Sequence, residues 1–423
     1  MSSRILAFDG LYGEVVVSGP LAELAVTPAV QRLREIRLSN IDSVSMPGIA
    51  NVSRYEHALG AAYLATRLNF VSHMPPADAL VIQAAALLHD SAISAFGHLV
   101  EEALKYTSAK FNHEKKLLIL LRHPSDMEVG GINLQVFAGR ESGIGAWAEK
   151  TFGSEAETRL EAITAAMMGK GRFGPCIAGP IDVDNLDNLT RIAFHMGLEV
   201  DRGLPVKIAT KVVAVDELNG LIFSPGAIDL LEQWLALRRL VYSRLMLSRD
   251  DFVGKIMLIY AIVTSFQRGY LGQEEYVWRL TDRELLSQLL ACKDDEVVRT
   301  VQSWLVHDLW PLSDLFWMSG QAPTYSMVYE FSEFATGVVG RPCFGYAILD
   351  KRTRLLEAKL DSGKDVRLGA RPHKWVLGIA SRKRDKFDLH DNRRLQGAAS
   401  EFFKESCLGK AVETPVDALP LFS

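Results

Sequence analysis

A run of small and apolar residues from 77 to 88 ends in the adjacent polar residues His89 and Asp90. The apolar residues recur at helical spacing, so the run predicts a helix that packs against other helices. An imidazole and a carboxylate at the end of such a helix are costly to bury without a partner. The chain therefore has to fold so that other polar groups, or a bound ion, meet His89 and Asp90.

Three further segments place metal-capable side chains on or beside helices. They are RYEHALG at 54–60 with His57, FNHEKK at 111–116 with His113, and IDVDNLDNL at 181–189 with Asp184. An adjacent His and Asp can bind one cation from the same backbone turn, and a second His and a distal carboxylate complete the shell. The dipeptide alone proves little, since a second copy stands at 307–308. The ordered series of His, His-Asp and Asp carries the prediction.

The chemistry that such a site predicts is hydrolysis of a phosphate ester. A bound cation lowers the pKa of water and stabilises charge on a phosphoryl oxygen. We therefore predict a divalent metal ion as cofactor and a phosphoester as substrate. Mn, Mg, Fe, Zn and Ni are all candidates for the metal, and the sequence does not distinguish between them.

Length and periodicity predict the domain organisation. A chain of 423 residues is too long for one simple core, and its 48% hydrophobic residues match a folded globular protein. Helical periodicity dominates up to about residue 340, where short strand-like runs such as CFGYAIL begin. We predict a mainly α protein in four parts: an N-terminal strand and lead helix at 1–45, a helical catalytic domain at 46–250, a helical extension at 251–335 and a smaller α+β lobe at 336–423.

Composition favours a cytoplasmic protein. The formal net charge is −4, from 47 Lys and Arg against 51 Asp and Glu, which is too weak a field to draw the whole chain to nucleic acid or anionic lipid. No apolar run reaches the roughly 18 to 20 residues of a membrane span, and the start MSSRILAFDG lacks the regions of a signal peptide. We therefore expect a cytoplasmic location and no membrane contact.

Together these segments resemble the HD-domain superfamily of phosphohydrolases. The resemblance is to the branch of the bacterial dGTP triphosphohydrolases and the SAM- and HD-domain dNTP triphosphohydrolase. VTPAVQRLREI is similar to the family's TP-x-FQRLR helix, RYEHALG to RFEHSLG, HD…FGH to HDxGHxPFSH, and IDVDNLDNLTR to DVDxxDYxxRD. The resemblance covers about residues 9 to 250, and it implies an HD-domain helical core, a nucleotide substrate and assembly into homo-oligomers.

Carried over residue by residue, the resemblance implies that His57, His89, Asp90 and Asp184 bind the metal. Asp90 is thereby also a catalytic residue. The two histidines would be neutral ligands and the two aspartates charged ones.

Three further roles follow from the same resemblance. Arg54 lies one helical turn before His57 and would contact a substrate phosphate. His98 and His113 match the family's active-site histidines, which assist the attack or the leaving group.

The sequence departs from the family at the positions that read the substrate. Leu38 and Ser39 stand where the family has a Gln-Leu pair that tests the deoxyribose, and Asn188 replaces a Tyr that helps to read the sugar. Ile192 replaces an Asp with a similar task, and Asn185 replaces a Lys that contacts phosphates. We therefore expect the metal chemistry to be kept and the specificity to have moved to another nucleotide or related phosphoester.

A histidine that can act as an acid or base in the family is also absent from this sequence. Ile93 replaces the first His of HDxGHxPFSH, and a general acid contributes roughly a hundredfold or more to a rate. Either another group, such as His98 or His113, supplies the proton, or the reaction differs from ordinary dNTP hydrolysis.

A competing hypothesis is a nuclease or nucleic-acid-binding HD protein. A basic cluster near the C-terminus, interleaved with Trp375 and Phe387, could follow the phosphate backbone of single-stranded nucleic acid. Its cations are Arg367, Arg371, Lys374, Arg382, Lys383, Arg384, Lys386, Arg393 and Arg394. The acids interspersed among them favour a solvated edge or an oligomer contact instead.

Two more hypotheses keep the metal and change the chemistry. A dinuclear iron oxygenase would use His98 or His113 to complete a second metal position. A regulatory protein would use the metal only to hold its helices together, so that chelation would lower its thermal stability.

Overall fold

The structure is a computed structural model that describes residues 3–39, 44–107, 128–129, 132–133, 143–217, 220–272, 277 and 279–412. These residues are mainly helical with a smaller share of strand, which confirms the predicted fold class. The helices are α1 (Pro20–Ala25), α2 (Pro28–Gln31), α3 (Pro47–Ala50), α4 (Arg54–Arg67), α5 (Pro76–Leu88), α6 (Leu99–Leu104), α7 (Ile144–Phe152), α8 (Ala156–Met167), α9 (Gly174–Ile177), α10 (Val183–His195), α11 (Leu204–Ala209), α12 (Ile228–Leu247), α13 (Arg249–Gln267), α14 (Asp282–Ala291), α15 (Asp295–Leu305), α16 (Tyr325–Val339) and α17 (Leu389–Phe403).

The strands form four small sheets. They are β1 (Arg4–Asp9), β2 (Gly13–Ser18), β3 (Glu128–Val129), β4 (Ile132–Asn133), β5 (Val212–Asp216), β6 (Gly220–Phe223), β7 (Phe316–Ser319), β8 (Cys343–Leu349), β9 (Leu355–Leu360), β10 (Asp365–Gly369), β11 (Lys374–Ser381) and β12 (Cys407–Lys410). β1 pairs with β2 and β3 with β4, and the larger sheets have the orders β10-β9-β6-β5 and β12-β7-β11-β8.

The helical core is built around α4, α5 and α10, where α4 packs against both of the others. α4 begins where the Ser53 side chain accepts the backbone N–H of Glu56, the bond that an N-cap serine makes. α5 is the apolar run that ends in His89, and its last turns from Ala84 to Leu88 are fully buried. This burial delivers the His-Asp pair to the inside of the protein.

α10 begins at an aspartate cap. The Asp182 side chain accepts the backbone N–H of Asn185, and this bond sets where the helix starts. The apolar residues of α10 lie on the face toward the core, while Asp184 lies in its first turn. The cap therefore fixes the direction from which Asp184 enters the site.

The C-terminal lobe has its own small core. Strands β12, β7, β11 and β8 form one sheet, and α16 and α17 cover it with a cluster that includes Phe331, Trp375 and Phe403. The lobe also joins the helical core, because β9 pairs in parallel with β6. The sheet that contains β6 and β9 therefore crosses the domain boundary predicted at residue 336. The four-part division stays a prediction.

Side-chain hydrogen bonds fix the start of α14. Thr281 and Glu284 form a capping box there, with both reciprocal bonds present.

Within the part of the chain that the structure describes, no helix is long and apolar enough to cross a membrane.

Candidate metal centre and the pocket beside it

Two imidazole rings meet at the centre of the helical core. His57 lies in α4 and is fully buried, and His89 directly follows α5. Their Nε2 atoms are 3.2 Å apart. Two ring nitrogens so close together repel unless a cation or a proton lies between them.

Two carboxylates complete this group. The Asp90 Oδ2 atom is 3.4 Å from His89 Nε2 and 3.8 Å from His57 Nε2. The Asp184 Oδ1 atom reaches the same nitrogens at 3.7 and 3.1 Å. The four residues that the sequence singled out as metal ligands are therefore brought together, while their role as ligands stays a prediction.

Hydrogen bonds on the outer side of each ring fix which nitrogen carries the proton. His57 Nδ1 donates to Asp187 Oδ2 at 2.7 Å, and His89 Nδ1 donates to the backbone oxygen of Ala86 at 2.7 Å. In a neutral imidazole the other nitrogen then has a free lone pair. Both lone pairs point into the space between the rings, as metal ligation requires.

The donor set fits a divalent ion. Ligand atoms about 2.1–2.3 Å from one ion, at right or tetrahedral angles, lie roughly 3.0–3.8 Å apart. The separations between the ring nitrogens and the carboxylate oxygens run from 3.1 to 3.8 Å. Two imidazoles and two carboxylates are also ligands that Zn, Mn, Fe and Ni all accept, so the cofactor's identity stays open.

The electrostatics keep the acids ionised. Burial would raise the pKa of Asp90, but the nearby Arg54 and His89 hold it well below its usual range. Burial would likewise raise the pKa of Asp184, and hydrogen bonds with His57 and His89 lower it instead. Each carboxylate is thus in the form that binds a cation.

A buried network behind His57 was missed at the level of sequence. Arg191 is fully buried and donates to Asp187 with both Nε and Nη2, each at 2.9 Å. It also pairs with Asp9 at 2.9 Å and with Glu56. Burial opposes the charge on Asp187, but Arg191 and His57 lower its pKa to about 2. The i, i+4 spacing of Asp and Arg inside the apolar pattern of α10 is the signal that could have revealed it.

A pocket of about 190 Å³ adjoins the cluster. It is lined by five of the residues predicted to bind substrate or assist catalysis, namely Leu38, Ser39, Arg54, His98 and Asn188. Its other walls come from Phe96, Glu102, Ile192, Tyr242, Leu245, Met246, Lys255, Ile348 and Lys351. Arg54 joins pocket and cluster, because its Nη1 atom donates to Asp90 Oδ2 at 2.6 Å.

Asn185 is engaged elsewhere. Its side chain donates to Asp182, and its Oδ1 atom accepts from Arg354 Nη1 at 2.6 Å. Arg354 also donates to the backbone oxygen of Gly179 at 2.9 Å. In this structure Asn185 therefore serves to hold the C-terminal lobe against α10. His113 lies outside the described residues.

The loop before α6 has an unusual backbone. Phe96 has φ 54° and Gly97 has φ 65°, so two successive residues are left-handed. For Phe96 this conformation is strained, and its N–H donates to Asp282 at 2.6 Å. At Gly97 a Cβ atom would lie 2.8 Å from Arg54 Nη2, so only glycine allows Arg54 its place.

One of the two aromatic side chains of the basic cluster near the C-terminus is not accessible for stacking on a base. Trp375 is fully buried, and its Nε1 atom donates to the backbone of Ser319, so it does not stack on a base. Several of the cations pair with acids, for example Arg384 with Asp308. The described structure therefore lends no support to the nucleic-acid hypothesis.

The second metal position of the oxygenase hypothesis is not seen either. Among the residues that the structure describes, His57, His89 and Asp90 form a group of three metal-capable side chains close enough to share an ion, and His98 is not part of that group. His98 lies in the pocket with its side chain 51% exposed.

Comparisons with known proteins bear on the fold and on this site. No protein-family model matches the chain. The metal-dependent phosphohydrolase cns2 of Cordyceps militaris is 35% identical over 140 residues, 32% of this chain and 38% of that protein. The deoxynucleoside triphosphate triphosphohydrolase SAMHD1 of Bos taurus is 31% identical over 125 residues, 27% of this chain and 21% of that protein.

Two further matches are longer and more distant. An uncharacterized protein of Methanocaldococcus jannaschii is 23% identical over 266 residues, 62% of this chain and 50% of that protein. The crystal structure of a phosphohydrolase from Bacteroides thetaiotaomicron has a TM-score of 0.62 at 17% identity, covering 89% of this chain and 100% of that chain.

Over part of its length the chain is therefore similar to a metal-dependent phosphohydrolase and to a deoxynucleoside triphosphate triphosphohydrolase. The structural match shows that the fold is shared, and the His-His-Asp cluster stands at the centre of the helical core. The chain spans half or less of the length of each of these sequence relatives. The branch of the dGTP triphosphohydrolases stays a prediction.

Proposed function

We propose that this protein is a metal-dependent phosphohydrolase of the HD superfamily that acts on a nucleotide or related phosphoester. One observation carries the proposal. The Nε2 atoms of His57 and His89 converge with the carboxylates of Asp90 and Asp184, and Arg54 connects this group to a pocket. That one relative is named a metal-dependent phosphohydrolase supports it.

His57, His89, Asp90 and Asp184 would hold the ion. When bound, a divalent cation supplies Lewis acidity toward a phosphoryl oxygen and toward water. Arg54 is nine-tenths buried or more and already bonded to Asp90, so its guanidinium is fixed in place and has further donors to offer a phosphate. Binding the substrate beside the ion is thus a task of Arg54.

Proton transfer would fall to His98 or His113, since Ile93 occupies the position of the family's other histidine and is fully buried. His98 lines the pocket one helical turn before Glu102, at the start of α6. A histidine exchanges protons near neutral pH, which suits a general acid for the leaving group.

The specificity of this enzyme would differ from that of a dNTP triphosphohydrolase, the activity that the name of the bovine relative states. Leu38, Ser39 and Asn188 line the pocket in place of residues that read a deoxyribose in the family. An apolar side chain at position 38 makes no hydrogen bond to a sugar. We therefore do not expect dNTPs to be preferred.

The test is a substrate screen with matched variants. Purified protein with Mn2+ is incubated with dNTPs, rNTPs, nucleoside monophosphates and oligonucleotides. The wild type is expected to turn over one of these classes, and Asp90→Ala is expected to lose that activity. Asp308→Ala alters the second His-Asp pair, whose aspartate side chain is 42% exposed, and keeps the activity. No turnover by a metal-loaded wild type would contradict the proposal, and efficient selective hydrolysis of dNTPs would contradict the moved specificity.

Assembly into homo-oligomers and a cytoplasmic location remain predictions. Light scattering on the purified protein tests the first, and fractionation of the source cells tests the second.

A further inference from the structure

The pocket beside the metal centre has cationic side chains that the family motifs do not contain. Lys255 from α13 and Lys351, which follows β8, line it together with Arg54. Lys255 Nζ pairs with Asp251 at 2.8 Å and is 11% exposed, whereas Lys351 is exposed. An ammonium has three donors, so Lys255 keeps donors for a ligand after bonding to Asp251. Three residues with cationic side chains therefore line one small space.

The same pocket contains hydrogen-bond acceptors. Glu102 lines it, and the Tyr346 hydroxyl holds this carboxylate at 3.0 Å. Asn188 also lines it, and its Oδ1 atom is buried without a hydrogen-bond partner among the described residues. A buried acceptor left unpaired costs free energy, which a ligand with a suitable donor would recover. The occupant thus has donors as well as negative charge.

The size of the pocket limits the occupant further. Its own volume, without the space at the candidate metal ligands, none of which lines it, is about 190 Å³, whereas pockets for drug-sized ligands occupy roughly 300–1,000 Å³. A nucleoside triphosphate belongs to that larger class. Its several phosphates would also bring charge close to Glu102, and like charges at short range repel. A small ligand with one phosphate fits both the volume and the charges.

We infer that the substrate is a small phosphomonoester that carries hydroxyl or amino donors, with Lys255 and Lys351 binding its phosphate and Glu102 and Asn188 accepting its donors. This inference rests on the proposed function and adds the substrate class to it. Lys255 and Lys351 would take over the task of the lysine that Asn185 replaces, since Arg354 occupies the Asn185 side chain.

Hydrolysis of such a phosphomonoester needs water as its co-reactant and nothing else. A water oxygen forms a bond to phosphorus, and the bond between phosphorus and the ester oxygen breaks. That oxygen takes a proton and leaves as the alcohol, while inorganic phosphate is released. No oxidant, reductant or second substrate is needed.

The kinetic test compares three classes of substrate. Ribose 5-phosphate, nucleoside 5′-monophosphates and dNTPs are assayed with the Mn2+-loaded protein. We expect kcat/KM to be highest for one of the two monoester classes, and the better of them identifies the source of the phosphate group. A higher kcat/KM for dNTPs would overturn the inference.

Single substitutions test which residues bind the phosphate and which accept the donors of the substrate. Lys351→Met is expected to raise KM about tenfold with little change in kcat, because a charge-assisted bond to the phosphate is lost. Glu102→Gln is expected to weaken discrimination in favour of substrates that carry hydroxyl donors. The control is Lys364→Met, which removes an exposed lysine of the same lobe outside the pocket. Equal KM values for the Lys351 and Lys364 variants would refute the assignment.

A binding measurement separates this inference from the proposed function. Titration calorimetry with inorganic phosphate is performed on the wild type, Lys351→Met and Lys364→Met, each loaded with Mn2+. A dissociation constant about tenfold weaker for Lys351→Met alone supports the pocket assignment even if no phosphoester is hydrolysed. Unchanged phosphate binding in Lys351→Met overturns it even if the protein proves to be a hydrolase.

Discussion

The metal centre and the pocket beside it draw on different parts of the chain. The four candidate ligands all lie between residues 57 and 184, on α4, after α5 and on α10. The pocket takes its lining from residues 38 to 351, including α12, α13 and the C-terminal lobe. The first is local to the helical core, whereas the second exists only when the lobe is docked.

This difference separates chemistry from specificity. His57 is held by Asp187, which belongs to a buried network in which Arg191 pairs with Asp187 of the core and with Asp9 of the N-terminal hairpin. The residues that line the pocket instead come from both the helical core and the C-terminal lobe, and they range from buried to exposed. Changes in the lobe can therefore alter which phosphoester binds and leave the ion in place, and four substitutions test this separation.

The largest effect is expected from Asp184→Ala. It removes one charged ligand from a partly exposed position, so the fold is retained while the affinity for Mn2+ falls more than about a hundredfold. Titration calorimetry measures the affinity. Asp229→Ala, an exposed aspartate at the start of α12, is the matched control. Unchanged metal affinity in Asp184→Ala would remove this residue from the site.

Asp187→Asn is expected to lower the metal affinity about 10- to 100-fold, because the amide holds the His57 ring and its proton less well. The same titration checks it, with Asp201→Asn as the control for loss of an exposed ion pair. If the affinity stays at the wild-type value, the network behind His57 has a structural role alone.

Gly60→Ala tests how tightly the network is packed. A Cβ atom there would lie 2.1 Å from Asp187 Oδ1, so the side chains must shift and the free energy of unfolding should fall by about 1–3 kcal/mol. Gly337→Ala is the control, since the space around Gly337 in α16 is open and alanine favours the helix. Denaturant unfolding measures both. A tolerated Gly60→Ala would show that the network yields easily.

The smallest effect is expected from Arg354→Ala, which removes the bonds from the lobe to Asn185 and Gly179. We expect a loss of about 1 kcal/mol in stability, a changed KM and an unchanged metal affinity. Arg367→Ala, which breaks an exposed pair in the same lobe, should change none of these. A fall in metal affinity in Arg354→Ala would break the separation of core and lobe.

The helical core could be predicted from sequence because its signals are local. Helical spacing marks α5, and the His-Asp pair ends this apolar helix, whose burial demands polar partners. The same logic brought His57 and Asp184 into the prediction. Five of the predicted pocket residues also come together, since they lie on or beside the helices of the core.

The positions of some pocket, sheet and network residues could not be predicted from the sequence, because they depend on tertiary contacts between distant segments. Nothing in the sequence near Lys255 or Lys351 indicates that both face one pocket. Trp375 looked like a surface aromatic among charges, yet its strand lies in the middle of a sheet and buries it. Arg191 was overlooked because a buried cation is identified by its partners, and two of these come from β1 and α4.

We propose that His57, His89, Asp90 and Asp184 bind one divalent ion. The most direct test is an anomalous difference map at the manganese edge, from crystals of the protein grown with Mn2+. We predict one strong peak between the two Nε2 atoms, about 2.0–2.3 Å from them and from the two carboxylates. A peak at another position, or none at this one at saturating Mn2+, would contradict it.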